Sequence, residues 1–440
     1  MRISVIGCGY LGAVHAACMA ELGHDVVGID VDAGKVDLLN NGKAPFHEPG
    51  FDEILERQVA AGRLRFSTDH ADVRGAQVHF ITVGTPQSDE GYAADMTYVD
   101  AAVEALVPHL AAHPDGPTVV AGKSTVPVGT AARLAAQLAD SPAHLVWNPE
   151  FLREGFAVQD TLSPDRIIYG LPGDPEAAVA AGAVLDAVYA PMLSADIPRL
   201  TADYATAELV KVAANSFLAT KISFINAMAE LCEATGADVT VLAEAIGHDD
   251  RIGPKFLRAG VGFGGGCLPK DIRAFMARAG ELGVDQALTF LREVDTINTR
   301  RRTAAVELAQ RLLGGSLGGK RVAVLGAAFK PDSDDMRNSP ALDIANAIAG
   351  RGARVVITDP AAGPKLATSR PDMEVAADAF EAAKDADLVL LLTEWRQFRD
   401  LDPNELREVV AIPQIIDGRN VLDPATWRAA GWAYHGVGRP

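Results

Sequence analysis

Short apolar runs alternate with helical patterns over the first third of the chain. Each run has the length and β-branched content of a buried strand, and the Ala-rich stretch 11–22 has the composition of a helix. Strands are predicted at 3–6, 25–30, 78–83, 118–121 and 144–147. Because strands that alternate with helices build parallel sheets, this segment predicts a doubly wound α/β domain.

The middle of the chain is predominantly helical. Residues 201–232 are rich in Ala, Leu, Phe and Lys and contain neither Gly nor Pro, which predicts one long helix. Further helical patterns cover 239–246 and 286–313, and the Gly-rich end of this region, 311–319, predicts a linker.

A second series of strands and helices follows the linker. Its strands are predicted at 321–326, 354–359, 388–392 and 414–417. The predicted fold class is α/β, with two Rossmann-like doubly wound domains joined by a long central helix and a helical middle domain. The predicted domain boundaries are 1–198, 199–312 and 319–440.

Composition and charge exclude several classes of protein. No apolar run reaches the roughly 18 residues of a membrane-spanning helix, and the chain opens on a strand pattern rather than a signal peptide. The net charge of −18 argues against nucleic-acid binding and requires local Lys or Arg wherever an anionic substrate binds. Four cysteines without a Cys-x-x-Cys motif predict neither a disulfide framework nor a metal site, and they indicate a reducing, cytoplasmic setting.

The sequence GCGYLG at 7–12 matches the dinucleotide-binding pattern G-x-G-x-x-G. It follows the first predicted strand and opens a helix, whose N-terminus suits a pyrophosphate. Asp30 ends the next strand, where a carboxylate binds a ribose 2′-hydroxyl and repels a 2′-phosphate, so NAD is favoured over NADP. A glycine turn required only for packing is the alternative.

Three further loops follow predicted strands, at the edge where doubly wound sheets bind ligands. The loops VGTP and KSTVP contain Thr85 and Thr125, whose hydroxyls and backbone amides suit a cofactor or substrate. The loop NPEFLREG carries Glu150 and Glu154, which share a face if the segment forms a helical turn. Like charges at that spacing raise the pKa of one carboxyl group, as a general base requires, whereas an exposed, solvated pair is the alternative.

Lys211 and Asn215 are four residues apart on the long predicted helix, so they project from one face. Their mainly apolar neighbours, which include Leu209 and Phe217, predict that this helix is buried. A buried Lys and a buried Asn need hydrogen-bonding partners. The two residues are therefore either a structural pair or a pair that stabilises an oxyanion.

The sequence FGGGCLPKD at 263–271 places Cys267 after a glycine run and before a helix start at Pro269. A helix N-terminus and the nearby Lys270 both favour the thiolate. Asp271 lies one helical turn further on, where it can handle a proton or a water. A buried structural cysteine is the alternative, but the combination favours a covalent nucleophile.

The last α/β segment has no G-x-G-x-x-G pattern after its first strand. The sequence GAAFKP instead places Lys330 there, where it can neutralise a phosphate. This segment therefore favours a different nucleotide or a nucleotide-linked substrate.

Together these motifs resemble the nucleotide-sugar 6-dehydrogenases of the UDP-glucose/GDP-mannose dehydrogenase family. The chain contains, in family order, GCGYLG, KSTVPVGT, NPEFLREG, the helix with Lys211 and Asn215, FGGGCLPKD, FKPDSDDMR and TEW. The stretch DTLSPDRII at 160–168 resembles the UDP-glucose branch more closely than the GDP-mannose branch. A GDP-mannose or other nucleotide-sugar 6-dehydrogenase is the alternative within the family, and a non-catalytic NAD-binding sensor is the alternative outside it.

The resemblance implies a four-electron oxidation of UDP-glucose to UDP-glucuronate that uses two NAD. It implies that the first domain binds NAD, that the last binds the UDP moiety, and that the central helix lies at a homodimer interface. It also implies that Cys267 captures the sugar aldehyde as a thiohemiacetal, which becomes a thioester and is then hydrolysed. Lys211 and Asn215 are implied to stabilise the oxyanion, and Asp271 to orient a water.

The resemblance assigns site residues, with no metal among the ligands. The implied catalytic residues are Cys267, Lys211, Asn215, Asp271, Glu150 and Thr125. The implied NAD contacts are Gly7, Gly9, Tyr10, Leu11, Gly12, Asp30, Lys35, Thr85, Thr125, Glu154, Lys270 and Arg337. The implied UDP-sugar contacts are Glu150, Phe151, Leu152, Lys211, Asn215, Arg251, Phe256, Leu257, Gly264, Lys330 and Arg419. Arg251 is implied to reach the site of the partner subunit, and Gly266 departs from the family because that position is usually Ser.

Overall fold

The computed structural model describes residues 1–89 and 91–440, which form two compact units. The first unit comprises Met1–Ala214 and Arg273–Gly283, and the second comprises Asn215–Ile272 and Val284–Pro440. Two helices, at 204–235 and 268–281, contribute residues to both units.

The first unit is built on one sheet. Its strands are β1 (Arg2–Ile6), β2 (Asp25–Ile29), β3 (Leu64–Ser67), β4 (Val78–Ile81), β5 (Thr118–Gly122), β6 (Ala143–Trp147), β7 (Ile167–Gly170) and β8 (Arg199–Ala202). In the part of the chain that is described, the strand order is β3-β2-β1-β4-β5-β6-β7-β8. Neighbouring strands are parallel except β6 and β7, which pair antiparallel at Trp147 and Gly170. The order reverses at β1, which places the topological switch point, and hence the expected ligand crevice, between β1 and β4.

Helices cover both faces of this sheet. They are α1 (Tyr10–Glu21), α2 (Ala33–Asn40), α3 (Phe51–Ala60), α4 (Thr97–Leu106), α5 (Thr130–Gln137), α6 (Ala157–Leu162), α7 (Pro175–Val188) and α8 (Ala190–Ser194), with short 3₁₀ turns at His70–Val73 and Val107–His109. Successive side chains of a strand point to opposite faces, so Val26 packs in the core with Ile3 whereas Val27 packs in the opposite core with Ile6. Both faces are therefore apolar, as a parallel sheet requires.

The second unit contains a six-stranded parallel sheet among its described residues, in the order β11-β10-β9-β12-β13-β14. The strands are β9 (Arg321–Leu325), β10 (Arg354–Thr358), β11 (Glu374–Val375), β12 (Leu388–Leu391), β13 (Gln414–Asp417) and β14 (Ala433–Gly436). The order repeats the first six positions of the other sheet, which is the Rossmann arrangement.

The helices of the second unit and of the middle of the chain complete the fold. They are α9 (Tyr204–Thr235), α10 (Val239–Gly247), α11 (Leu268–Glu281), α12 (Thr289–Leu312), α13 (Pro340–Gly350), α14 (Gly363–Ser369), α15 (Ala379–Ala383), α16 (Arg396–Arg399), α17 (Pro403–Arg407) and α18 (Pro424–Ala429), with a 3₁₀ turn at Asp285–Leu288. Ile344 and Ile348 of α13 pack in one apolar core with Val322 and Val324 of β9.

The long helix α9 differs from its prediction at its start and in its burial. It begins after Asp203, whose carboxylate accepts hydrogen bonds from the backbone N–H and the hydroxyl of Thr206 and so caps the helix. The residue predicted to open the helix, Thr201, lies in β8 instead. The prediction of a buried helix is wrong on one face, because the side chains of Leu209 and Phe217 are exposed.

Candidate active site

The turn between β1 and α1 carries the predicted dinucleotide-binding residues. Gly7 and Gly9 form the turn, and Tyr10, Leu11 and Gly12 form the first turn of α1. No side chain of the described residues caps α1 at Gly9. The first backbone N–H groups of this helix therefore fit the pyrophosphate of a dinucleotide.

Asp30 directly follows β2 and is nearly buried. Its carboxylate accepts a hydrogen bond from the backbone N–H of Asp32 at 3.0 Å and forms an ion pair with Lys35 at 2.9 Å. A carboxylate held at the end of the second strand fits a ribose hydroxyl of NAD.

The loops after β4 and β5 are hydrogen-bonded to each other. The hydroxyl of Thr85 donates to the carbonyl oxygen of Thr125 at 2.7 Å, and the hydroxyl of Ser124 donates to the carbonyl oxygen of Val83 at 2.6 Å. Both loops lie at the carboxyl ends of their strands, so the structure brings together the two predicted hydroxyl residues at the ligand-binding edge.

The segment 148–156 is not helical, so the prediction that Glu150 and Glu154 share a helical face is wrong. The residue before a proline disfavours helical backbone, and Gly155 has a φ of +79°, which interrupts any helix there. Glu150 turns back on its own segment, where its carboxylate accepts the backbone N–H of Leu152 at 2.7 Å.

This segment is anchored by Glu48, a residue that no sequence motif indicated. The buried carboxylate of Glu48 accepts the backbone N–H groups of Gly155 at 2.6 Å and Ala157 at 2.7 Å. It also accepts the hydroxyl of Tyr10. The first turn of α1 and the segment that carries Glu150 are therefore bound to one carboxylate.

Within the first unit, Lys211 of α9 forms an ion pair with Glu150 at 2.9 Å. The two side chains are only 6% and 10% exposed, so their charges interact with little screening by water. The ring of Phe151 lies 5.6 Å from the Lys211 ammonium. Lys211 thus has a structural partner, which is itself a predicted catalytic residue.

Within the second unit, Asn215 and Asp271 meet. The side-chain amide of Asn215 donates to the Asp271 carboxylate at 2.7 Å, and Lys270 pairs with the other carboxylate oxygen at 2.7 Å. Asp271 is 1% exposed, so its two oxygens are fixed by these partners rather than by bulk water. This geometry holds a carboxylate near the start of α11.

Cys267 immediately precedes α11 and is exposed. Its carbonyl oxygen accepts the backbone N–H of Asp271 at 2.9 Å, which is the first hydrogen bond of the helix, and Pro269 lies in the first turn as predicted. The thiol is therefore at a helix N-terminus and accessible to a substrate, whereas Cys8, Cys18 and Cys232 are buried.

The glycines before the thiol make close contacts with the loop after β9. Gly265 has a φ of +83°, and an added Cβ would lie 2.8 Å from the ring of Phe329. A Cβ on Gly266 would lie 2.4 Å from the guanidinium carbon of Arg337. Gly266 thus allows an arginine side chain to lie against the cysteine loop.

In the second unit, the backbone N–H groups of Ala327 and Ala328 in the turn after β9 already have an acceptor. The buried carboxylate of Asp359 accepts the backbone N–H groups of Ala327 and Ala328 at 2.8 and 2.9 Å, as well as the indole N–H of Trp395. An internal carboxylate therefore occupies the position where a dinucleotide phosphate would bind. Nearby, Lys330 extends over the ring of Phe329.

Arg419, in the turn after β13, supports the cysteine loop. Its guanidinium donates to the carbonyl oxygens of Gly262 at 2.9 Å and Leu392 at 2.7 Å. Gly264 in the same loop is buried and lies against the backbone of Asn338.

The segment after α10 carries the remaining predicted substrate residues. Phe256 is partly exposed and has a φ of +66°, a backbone conformation that is strained for a bulky residue, whereas Leu257 is buried. The Arg251 side chain is 89% exposed and pairs with Asp249 at 2.6 Å. The structure does not bring Arg251 into contact with the other predicted site residues of the second unit.

Three parts of the chain match one family in order. Residues 1–193 match the NAD binding domain, residues 205–300 the central domain and residues 323–424 the UDP binding domain of the UDP-glucose/GDP-mannose dehydrogenase family. The chain belongs to this family. The resemblance is thus confirmed, and with it NAD as the cofactor and the two Rossmann-like domains of the predicted α/β fold.

Relatives within the UDP-glucose/GDP-mannose dehydrogenase family match the chain over its full length. It is 40% identical to a UDP-glucose 6-dehydrogenase of Rhizobium meliloti (strain 1021), covering 100% of both proteins. It is also 40% identical to the UDP-glucose 6-dehydrogenase TuaD of Bacillus subtilis (strain 168), covering 100% of this chain and 93% of the relative. The structure of a UDP-glucose dehydrogenase from the hyperthermophilic archaeon Pyrobaculum islandicum is similar with a TM-score of 0.89 at 38% identity, covering 100% and 98% of the two chains.

The described residues contain neither a candidate membrane-spanning helix nor a candidate metal-binding cluster. No helix among residues 1–89 and 91–440 has the length and apolar content needed to span a membrane. Over the same residues, no group of three or more His, Cys, Asp and Glu side chains is arranged to hold a metal ion.

Proposed function

We propose that this member of the UDP-glucose/GDP-mannose dehydrogenase family oxidises UDP-glucose to UDP-glucuronate. The reaction consumes two NAD and one water and yields two NADH and three protons. The observation that carries the proposal is the exposed Cys267 thiol, one helical turn before an Asp271 carboxylate that Asn215 holds in place. The names of the relatives support UDP-glucose as the sugar nucleotide.

The first domain would hold NAD through its glycine turn and its acidic strand end. We assign the pyrophosphate to Gly7, Gly9, Tyr10, Leu11 and Gly12, and the ribose to Asp30 with Lys35. When bound, NAD accepts one hydride from C6 of the sugar in each of the two oxidations. Further contacts are assigned to Thr85, Thr125, Glu154, Lys270 and Arg337.

The thiol of Cys267 would retain the sugar between the two oxidations. Its Sγ adds to the C6 aldehyde, which forms a C–S bond and a thiohemiacetal. Loss of the second hydride and a proton from this adduct leaves a thioester. Water then adds at C6 and breaks the C–S bond, which releases the uronate and restores the thiol.

The polar clusters would serve the charged steps of this reaction. Lys211 and Asn215 donate hydrogen bonds to the oxygen on C6 as it becomes an oxyanion. Asp271 and Glu150, whose carboxylates are held by fixed partners, orient the water that cleaves the thioester, together with Thr125.

The UDP-sugar would be bound by a larger set of residues. Lys330 and Arg419 supply positive charge for the diphosphate, which the net charge of −18 makes necessary. The other contacts are assigned to Glu150, Phe151, Leu152, Lys211, Asn215, Arg251, Phe256, Leu257 and Gly264.

We also propose a homodimer in a reducing, cytoplasmic compartment. Phe217, Phe224 and Leu231 of α9 follow one another at intervals of seven residues and are 67%, 49% and 57% exposed. An apolar row of this kind on one helix face suits contact with a second copy of the chain. Arg251, whose side chain is exposed, is assigned to the site of the partner subunit.

The decisive experiment is product analysis with UDP-glucose and NAD. We expect about two NADH per UDP-glucuronate, because the covalent adduct keeps the aldehyde from leaving. Cys267→Ala should abolish uronate formation while NAD binding persists, and Cys232→Ala, at a buried thiol, is the matched control. Turnover of GDP-mannose but not UDP-glucose, or unchanged uronate production by Cys267→Ala, contradicts the proposal.

A further inference from the structure

A buried lysine lies at the end of β5, beside the catalytic pair of the first unit. Lys123 is 7% exposed, and the hydrogen bonds that its ammonium makes with described residues all go to uncharged oxygens. These acceptors are the side-chain oxygen of Asn148 at 3.0 Å, its carbonyl oxygen at 3.5 Å and the hydroxyl of Tyr189 at 3.4 Å. A buried cation with only neutral acceptors is costly to fold, which makes this lysine a candidate functional group.

The contacts of Lys123 lead directly to Glu150. Asn148 is followed by Pro149 and Glu150, and its side chain is fixed on three sides. It accepts from Lys123 and from the Tyr189 hydroxyl at 2.7 Å, and it donates to the carbonyl oxygen of Ile168 at 2.9 Å. The ammonium therefore holds the start of the segment from which Glu150 reaches Lys211.

The charge of Lys123 also acts on this pair. Burial is the main cause that lowers the pKa of Lys123, to about 8; the charge of Glu150 opposes this shift and the charge of Lys211 adds to it. The three groups thus interact electrostatically, and two ammonium groups with one carboxylate carry a net charge of +1 when both lysines are protonated. A net positive cluster favours a developing oxyanion.

The other titratable groups that face Lys123 do not change charge near neutral pH. Burial, with a smaller contribution from Lys123, holds the pKa of His15 on α1 well below its usual value. Burial raises the pKa of Tyr189 far above its usual value. The ring of Phe80 on β4, 5.8 Å from the ammonium, carries no charge.

We propose that Lys123 is a positioning residue of the reaction: it fixes Asn148 ahead of Glu150 and adds a second positive charge to the Lys211–Glu150 pair. This inference rests on the proposed function, because it concerns the oxyanion that Lys211 stabilises. Lys123 itself is not assigned any contact with the sugar.

The test compares Lys123→Met and Lys123→Gln with the wild type over a range of pH. We expect kcat to fall about 10-fold or more at about pH 7, while KM for UDP-glucose changes less than about 2-fold. Because the wild-type ammonium loses its proton at alkaline pH, the ratio of wild-type to variant kcat should fall below about 3 at about pH 10. Lys123→Gln retains a hydrogen-bond donor to Asn148 but removes the positive charge. If the charge is what matters, kcat of Lys123→Gln should be as low as that of Lys123→Met.

Controls separate the charge from the local structure. Tyr189→Phe removes one acceptor without changing the charge, so its deficit relative to the wild type should not vary with pH. Lys384→Met removes an exposed lysine and should leave kcat unchanged. A ratio that is constant with pH, or full activity in Lys123→Gln, overturns the inference. If the wild type oxidises a different sugar nucleotide, the proposed function fails, and the same ratio measured with that substrate still tests Lys123.

Discussion

Replacing Lys123 with methionine should stabilise the protein at neutral pH, although it impairs the reaction. The side chain becomes one atom shorter and loses its charge, so the variant no longer buries an ammonium among apolar rings and neutral oxygens. The Asn148 side chain retains its hydrogen bond from Tyr189, and Glu150 retains Lys211, whereas the long bond from Lys123 to the Asn148 carbonyl oxygen is lost.

The magnitude follows from the pKa of Lys123, which burial lowers from 10.5 to about 8. That difference corresponds to about 3 kcal/mol at about 1.4 kcal/mol per pH unit. Below about pH 8 Lys123 is protonated in both the folded and the unfolded chain, so the folded state is destabilised by the full free energy of burying the ammonium. Between about pH 8 and 10.5 only the unfolded chain keeps the proton, so the free energy of unfolding rises with pH through this window.

The assay is urea-induced unfolding of both proteins, followed by circular dichroism at about pH 7 and about pH 10. At about pH 7, the free energy of unfolding of Lys123→Met should exceed that of the wild type by about 1–3 kcal/mol. The lower end of this range allows for the hydrogen bonds that the variant loses. At the higher pH most of that advantage should disappear. The exposed Lys384→Met variant should show a pH-independent difference. A Lys123→Met protein that is less stable than the wild type by the same amount at both pH values refutes the reasoning.

Three other substitutions test the site and the assembly. Glu48→Gln places an amide donor against the N–H groups of residues 155 and 157 and should cost about 2–3 kcal/mol in urea unfolding, whereas the exposed Glu56→Gln should cost almost nothing. Gly265→Ala should lower the free energy of unfolding by about 1–3 kcal/mol, because Gly265 has a φ of +83° and lies against a ring. Gly266→Ser should lower it by less than about 1 kcal/mol, because the new side chain displaces only the end of an arginine side chain. Equal losses in the two variants would contradict this geometry. Phe224→Asp should shift the protein from dimer to monomer in light scattering, and Val179→Asp, on an exposed position of α7, should not.

Most internal strands of both sheets were predictable from the sequence because they are buried on both faces; β7 is the exception, since Ile167–Gly170 is buried but was not predicted. β1, β2, β4, β5 and β6 lie within two residues of their predicted bounds, as do β9, β10, β12 and β13. All four edge strands were missed, and for β8 and β11 the physical reason is clear. Their residues are largely exposed, so Arg199–Ala202 and Glu374–Val375 show no apolar run.

The site was predictable where a functional side chain and the helix or strand that positions it lie in one short segment. The helix start after Cys267 and the position of Asp30 after β2 follow from local patterns. Pro149 and Gly155 disfavour a helix in the segment with Glu150, but the anchoring of that segment was not visible, because it depends on Glu48, about a hundred residues earlier. The exposed apolar face of α9 was missed because composition does not distinguish a face that packs in the core from one available to a second subunit.

Buried charged side chains bind the loops of the first unit, and sequence patterns do not predict these contacts. Glu208 of α9 accepts the N–H groups of Gly129 and Ala131 at 2.7 and 2.6 Å, and burial raises the pKa of its carboxyl group even though these bonds oppose the rise. Glu48 and Lys123 act in the same way on the segment after β6. A strand is marked by its apolar run, but the loop beyond it has no periodic pattern from which its course can be predicted. A buried charge that binds such a loop supplies that constraint at a cost in folding free energy, which is why we expect the buried Lys123 to matter for the reaction although it destabilises the fold.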